Sequence, residues 1–370
     1  MAAQNRRRKR KKKSNTGKII LFVVEILVLV VLLGGLFAYS KLEKVADSGV
    51  EIQEEELEIN ELDSETKEVL SGYKCIALYG LDNRDNGEYE GGNSDAIMVC
   101  VINNDTKEVK LVSVYRDTFL NVYDTSYQKM NAAYAKNGVK SAIAALNKNL
   151  DLAITDYVAV DFNALVEAVD LLGGIELTLT DEEVGYMNSI YIGEIEQVTG
   201  KTSSQLPCGG TYTVDGIQAL AYCRVRYTSG DDFKRTERQR EVLTKMLEKV
   251  KSSNLSTLNT MVDTMLDYVS TNLTSKEILS LAANVMDYDL SGTVGWPFEL
   301  CTGTYGSKGS LVVPCDLETN VSELHQYLFG SDGYTPSSTV ISISDEVKNY
   351  TGCTTESATR KANPMTDTTQ

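Results

Sequence analysis

The 21 residues from Ile19 to Tyr39 form an apolar run broken only by Glu25, and no other feature constrains the chain so tightly. A helix of that length, at about 1.5 Å per residue, spans roughly 30 Å, the thickness of a bilayer's hydrocarbon core. The first 18 residues carry nine positive charges, from Arg6 to Lys18, and no acid. A basic flank directly before a span stays cytoplasmic, so everything after Ser40 is expected outside the membrane. A cleaved signal peptide is the competing reading. Its apolar core is ordinarily shorter and ends in small residues at alternate positions, which Phe37-Ala38-Tyr39-Ser40 does not offer.

Beyond the basic block the chain holds 27 basic against 52 acidic residues, a net charge of −25 that repels nucleic acid. Five segments are expected. Residues 1–18 form a basic cytoplasmic tail and 19–40 a single transmembrane helix. Residues 41–70, with eleven acids and three lysines, read as a solvated spacer. A folded domain occupies 71–333, and the Ser/Thr-rich stretch 334–370 reads as a disordered tail.

Within the domain, strand patterns at Tyr73–Tyr79, Ala96–Ile102, Val109–Val114, Tyr157–Val160 and Ile175–Leu179 alternate with helical ones. The helices are expected at Val139–Leu150, Phe162–Leu172, Val214–Ala221, Phe233–Lys251, Leu258–Val269, Ser275–Met286 and Val321–Leu328. This interspersion predicts an α/β fold, a central mixed sheet flanked by helices. The single histidine, His325, lies in Ser322-Glu323-Leu324-His325-Gln326, which argues against a Ser-His-Asp triad, and it reads as a surface residue of a late helix. Of seven cysteines, Cys301 and Cys315 bracket a Gly-rich turn and are candidates for pairing; the spacing of the cysteines suggests no zinc site.

Arginine usage points to chemistry. After residue 70 there are sixteen lysines but eight arginines, and seven of the eight (Arg84, Arg116, Arg224, Arg226, Arg235, Arg238 and Arg240) lie in candidate motifs. Lysine serves as the general surface cation, which leaves arginine for presenting a planar fork of donors to an oxyanion such as phosphate. Structural salt bridges to the abundant acids are the alternative use. In Cys223-Arg224-Val225-Arg226-Tyr227 an extended backbone would put both arginines on one face. From Phe233 onward, Arg235, Arg238, Gln239, Val242 and Met246 share one helical stripe and look inward near a helix N-terminus, whereas Arg240 falls on another side and reads as surface. Asp82, at the end of the first strand, and Asp95, at the start of the next, come together if those strands are neighbours. Two carboxylates plus substrate phosphates suit Mg2+, and one could also accept a proton; turn capping is the other possible role.

These stretches, in this order, resemble the LytR-CpsA-Psr family of bacterial cell-wall proteins. The resemblance rests on Leu78-Tyr79-Gly80-Leu81-Asp82-Asn83-Arg84, Asn93-Ser94-Asp95-Ala96-Ile97-Met98, Ser113-Val114-Tyr115-Arg116-Asp117-Thr118, Lys129-Met130-Asn131-Ala132-Ala133-Tyr134-Ala135, Val169-Asp170-Leu171-Leu172-Gly173-Gly174, and Arg224-Val225-Arg226 followed by Gly230 to Gln239. It covers about Tyr73 to Glu248, more weakly to about residue 333. It implies a membrane-anchored phosphotransferase, facing outward from a Gram-positive cell. Such an enzyme moves a glycopolymer from a polyprenyl-pyrophosphate carrier to a peptidoglycan hydroxyl, the C6 hydroxyl of N-acetylmuramic acid, and releases polyprenyl phosphate.

Carried over by position, Asp82 and Asp95 would hold Mg2+, with Asp82 a candidate base. Arg116, Arg224, Arg226, Arg235 and Gln239 would grip the pyrophosphate, with Lys129 and Asp232 nearby and Arg84 and Arg238 in support. An apolar tunnel for the polyprenyl tail is implied, with Val158, Val160 and Phe162 as candidate lining. The chain departs from the family pattern at Asn93, Ala96 and Tyr115, where arginine, threonine and proline are usual. A non-catalytic carrier-binding protein and a pyrophosphatase therefore stand as alternatives.

Overall fold

The computed structural model describes residues 50–82, 89, 92–228 and 231–362. The expected tail and span at 1–40 lie outside them. A six-stranded mixed sheet organises the domain, in the order β10-β3-β2-β1-β6-β9. Its strands are β1 (Tyr73–Leu81), β2 (Ser94–Asn103), β3 (Glu108–Val114), β6 (Asp156–Val160), β9 (Val269–Thr271) and β10 (Asp289–Trp296). The β1–β2, β2–β3 and β6–β9 pairs are antiparallel, and β1–β6 and β3–β10 are parallel. Short ladders complete the strands: β4 (Phe119–Tyr123) with β5 (Ser126–Lys129), β7 (Ile175–Leu179) with β8 (Gly210–Val214), and β11 (Glu299–Thr304) between β12 (Ser310–Pro314) and β13 (Arg360–Lys361).

Helices in chain order are α1 (Ser64–Ser71), α2 (Ala132–Leu150), α3 (Phe162–Leu171), α4 (Asp181–Tyr186), α5 (Ile192–Thr199) and α6 (Gly216–Arg224). They continue with α7 (Asp231–Ser252), α8 (Leu255–Met265), α9 (Ser275–Ala283), α10 (Leu317–Phe329) and α11 (Ser338–Thr351). Several starts are set by side-chain caps. Asp161 accepts from the Ala164 amide to open α3, and Asp215 with Gln218 makes a capping box for α6. Gly216 lets α6 close on α3, since a Cβ there would lie 2.2 Å from the Val166 carbonyl oxygen.

Period-2 alternation sorts β1 between two environments. Cys75, Ala77, Tyr79 and Leu81 enter the main core with α2 and α10, while Ile76 and Leu78 face the opposite side. On that opposite side the cover is incomplete, and the cavities described below occupy it.

Three expectations need correction. The stretch 334–370 is not a disordered tail over its described part: α11 buries Val340, Ile343 and Val347 against the main core, and β13 extends the β11 ladder. Its Ser and Thr content misled because α11 needs one apolar stripe, not apolar composition. The acidic stretch before residue 70 is not wholly a solvated spacer. Leu57 is 1% exposed, Val50, Ile52, Ile59 and Leu62 pack on the core, and α1 follows, capped by Asp63. His325 is not a surface residue either. It is 1% exposed, stacked 3.7 Å from the Tyr334 ring, with Nε2 2.9 Å from the Leu150 carbonyl oxygen.

Burial pushes the His325 imidazole down to about 4, because a charged ring there would lose its hydration. The unfolded chain takes this proton near pH 6.5 and the folded chain only near 4, so stability is complete above 6.5 and falls as pH drops through that window. The expected loss is about 3 kcal/mol by urea titration between pH 7.5 and pH 4. In His325→Phe the slope between pH 6.5 and 5 should flatten, since His325 is the chain's one histidine. An unchanged slope there would rule this assignment out.

Candidate functional site

At one end of the β1–β2 pair, Leu81 lies opposite Ser94, so Asp82 and Asp95 emerge at the same edge of the sheet. Asp95 is the hub. Arg116, just past β3, donates from Nη1 to its Oδ1 at 2.7 Å, and Arg226, just past α6, donates from Nη2 to its Oδ2 at 2.9 Å. Arg235, in the second turn of α7, donates from Nη2 to the Asp95 carbonyl at 3.2 Å and pairs with Asp232 at 3.0 Å. Three guanidinium groups from separate segments therefore surround one carboxylate. Burial alone would raise the Asp95 carboxyl, but Arg116, Arg235 and Arg226 hold it below the usual carboxylate range.

Arg235 is 1% exposed, and burial drives its guanidinium down to about 10, with the neighbouring Arg116 and Arg226 acting in the same direction. Among the described residues its Nε and Nη1 have no hydrogen-bond acceptor, and neither has Arg116 Nε. Buried N–H groups without acceptors are costly, typically about 1–3 kcal/mol each, and more when charged. A ligand that brings oxyanions relieves that cost. Gln239 Oε1 and Asp82 Oδ1 are likewise buried without partners among the described residues.

Arg226, Arg235, Asp95 and Gln239 line a cavity of about 240 Å³ whose other walls are mostly apolar. Leu78 and Gly80 of β1, Ala96 and Met98 of β2, Val158 and Val160 of β6, and Leu220, Val242 and Leu243 line it, with Phe162 and Leu165 closing the α3 side. A second cavity of about 430 Å³, lined by α8, α9 and the strand β9, shares Val158 with the first. Gly80 and Ala96 face each other across the strands, and a Cβ on Gly80 would lie 3.0 Å from that of Ala96.

The other expected residues divide. Gln239 and Arg224 line the cavity, but Arg224 ends α6 and does not sit on an extended segment; it pairs with Glu194 at 3.2 Å and lies over the Phe162 and Tyr191 rings. Lys129 is one step out, held to Asp117 at 2.9 Å. Asp232 organises Arg235 and stands 3.7 Å from Arg116. Arg84 lies outside the described residues.

Arg238 does not face the cavity. It spends its donors on Glu183, the Val225 carbonyl and Thr228, which fixes the turn that carries Arg226. Arg240 is not surface: it is buried beside Tyr115, Glu237, Arg360 and Tyr327, and burial lowers its guanidinium. Sequence reasoning also passed over Asp117 and Glu194. Asp117 stands beside Arg116 in the same motif, which is a usable signal, whereas nothing local marks Glu194. Tyr115, in place of a usual proline, packs edge-on to Phe233 with ring centroids 4.7 Å apart, and its hydroxyl fills the space left by Gly295.

Comparisons with known proteins bear on the family and the fold. At 32% identity over 218 residues, the chain resembles the polyisoprenyl-teichoic acid–peptidoglycan teichoic acid transferase TagU of Enterococcus faecalis, covering 58% of this chain and 65% of that protein. TagT of Bacillus subtilis is 31% identical over 56% of this chain and 62% of its own length. The chain thus spans somewhat under two thirds of these curated relatives. Among solved structures, protein gbs0355 of Streptococcus agalactiae superposes with a TM-score of 0.57 at 22% identity, over 82% of this chain and 95% of that one. TagV of B. subtilis gives 0.56 at 24%, over 71% and 98%. Both share the fold. A model of the LytR_cpsA_psr family matches residues 37–292, more than two thirds of the chain, and this chain therefore belongs to the LytR-CpsA-Psr family.

Proposed function

We propose that this protein is a phosphotransferase that moves a phosphate-linked glycopolymer from a polyprenyl-pyrophosphate carrier to a peptidoglycan hydroxyl, the C6 hydroxyl of N-acetylmuramic acid, and releases polyprenyl phosphate. The observation that carries this reading is the buried Arg235 guanidinium with two unsatisfied N–H groups at the polar mouth of an apolar cavity. A ligand matching both features pairs a multiply charged oxyanion with a long hydrocarbon. The transferase names of TagU and TagT support the same chemistry.

In this reading Arg116, Arg226 and Arg235 bind and orient the pyrophosphate and stabilise charge that builds on its oxygens. Asp232 holds Arg235 in place, Asp117 holds Lys129, and the apolar walls exclude water from the transferring phosphate. Asp82 and Asp95 fit a divalent cation: Asp82 Oδ1 is a buried acceptor without a partner among the described residues, and each Asp95 oxygen keeps a lone pair beyond its arginine bond. Mg2+ held there would supply further neutralisation of the pyrophosphate. Asp82 is the candidate to accept the proton of the attacking hydroxyl.

The test uses the full chain in phospholipid vesicles with a polyprenyl-pyrophosphate-linked saccharide, Mg2+ and peptidoglycan oligomers. The expected products are glycosylated peptidoglycan and polyprenyl phosphate, with the rate lost on EDTA treatment and restored by Mg2+. Saccharide phosphate released without acceptor would instead favour the pyrophosphatase, and binding without turnover the carrier protein.

A further inference from the structure

Away from this site, three cysteines remote in sequence meet in one buried pocket. Cys301 lies in β11, Cys315 follows β12 and Cys353 follows α11; they are 5%, 0% and 6% exposed, and their sulfur atoms all lie within 4.8 Å of one another. Cys315 Sγ is 3.1 Å from Cys301 Sγ. Cys353 Sγ stands 3.0 Å from Tyr305 Oη, and the Cys301 thiol donates to the Ser357 carbonyl at 2.9 Å. The structure holds all three as thiols.

A shared metal and a disulfide make different demands on this geometry. Two thiolates on one tetrahedral zinc, with bonds of about 2.3 Å, stand roughly 3.8 Å apart. The Cys301–Cys315 separation is well inside that, and among the described residues no His, Asp or Glu joins the trio as a fourth ligand. A disulfide needs the two sulfurs to close to about 2.05 Å, a shift of about 1 Å. In the β11–β12 ladder Cys301 lies opposite Val313, which places Cys315 two residues along, just past the end of the neighbouring strand β12.

We propose that Cys301, Cys315 and Cys353 form an oxidation site in which Cys301 and Cys315 join as a disulfide and Cys353 is the thiol positioned to exchange with it. The oxidant is a dithiol–disulfide partner or a small-molecule disulfide. One of the two thiolates attacks its S–S bond to give a mixed disulfide, the second attacks the mixed-disulfide sulfur of the first, and the oxidant leaves as two thiols carrying the two electrons and two protons. Attack by the Cys353 thiolate on Cys315 then frees Cys301 without net redox change. The bridge pins the hairpin whose Val312 amide donates to the Asp117 carbonyl at 3.0 Å, next to Arg116. Its existence does not depend on the reaction proposed above.

The full chain is equilibrated with oxidised glutathione, denatured, alkylated and mapped by mass spectrometry, with exposed Cys208 as the reference for a reactive thiol. The expected map shows one Cys301–Cys315 cross-link and an alkylated Cys353. Cys315→Ser should give a Cys301–Cys353 cross-link. Reduction should lower the wild-type melting midpoint by roughly 5 °C and leave the Cys301→Ser/Cys315→Ser double variant, which has no second thiol in the pocket, unmoved. Alkylation of all three after oxidation, or one equivalent of bound Zn2+ that protects all three, overturns the proposal; the wild-type map decides even if a variant fails to fold.

Discussion

Replacement of Arg235 by methionine is expected to lower transfer about a hundredfold or more while the protein still folds. One donor to a developing oxyanion is worth roughly 10²–10³ in rate where water is excluded, and Arg235 offers two unused N–H groups there. Methionine fills similar volume, and Asp232, which loses its Arg235 partner, is 23% exposed to water and still stands 3.7 Å from Arg116. Asp95 keeps its bonds to Arg116 and Arg226. Arg235→Lys should not rescue the rate, because an ammonium cannot present the planar fork. Single-turnover assays beside thermal melts separate the two effects. A near-wild-type rate in folded Arg235→Met would remove this residue from the clamp.

The second large effect concerns the chain's end. A protein stopped at residue 333 is expected to lose cooperative folding or to melt more than about 10 °C lower. Burial of Val340, Ile343 and Val347 contributes about 1.5–3 kcal/mol each, against a total stability of roughly 5–15 kcal/mol. Truncation also strips Asp151, 0% exposed, of Tyr334 and of its two bonds from Ser337 at 2.8 and 2.7 Å. A buried carboxylate left short of donors adds to the loss. Calorimetry of the two lengths decides the matter, and equal midpoints would mean that α11 is dispensable.

These two cases mark what could be read in advance. Arg235 was legible because helical phase put it on the stripe of Val242 and Met246, and phase survives any tertiary arrangement. The five early strands were legible for a similarly local reason, since β1 shows in its own residues as a short apolar run bounded by Gly80. Arg224, Arg238 and Arg240 were misplaced because an arginine's task depends on its neighbours: whether α6 runs on through Cys223, and whether Glu183 or Tyr115 reaches the guanidinium, is set by contacts over long sequence separations. The C-terminal segment failed for another reason. Its Ser and Thr residues satisfy turns and caps as readily as they signal disorder, and Ser337 does so by opening α11.

Asp95 also has a consequence for how the proposed cycle turns over. It is a built-in competitor, an anion tethered beside three cations, and its effective concentration far exceeds that of any free phosphate. In the proposed cycle an incoming pyrophosphate competes with it for the guanidinium groups, starting from the Arg235 and Arg116 N–H groups that have no acceptor among the described residues. A monophosphate left after transfer has fewer contacts to offer. The carboxylate then reclaims its partners, so the same residue that assembles the pocket before the donor lipid arrives helps to expel the spent carrier.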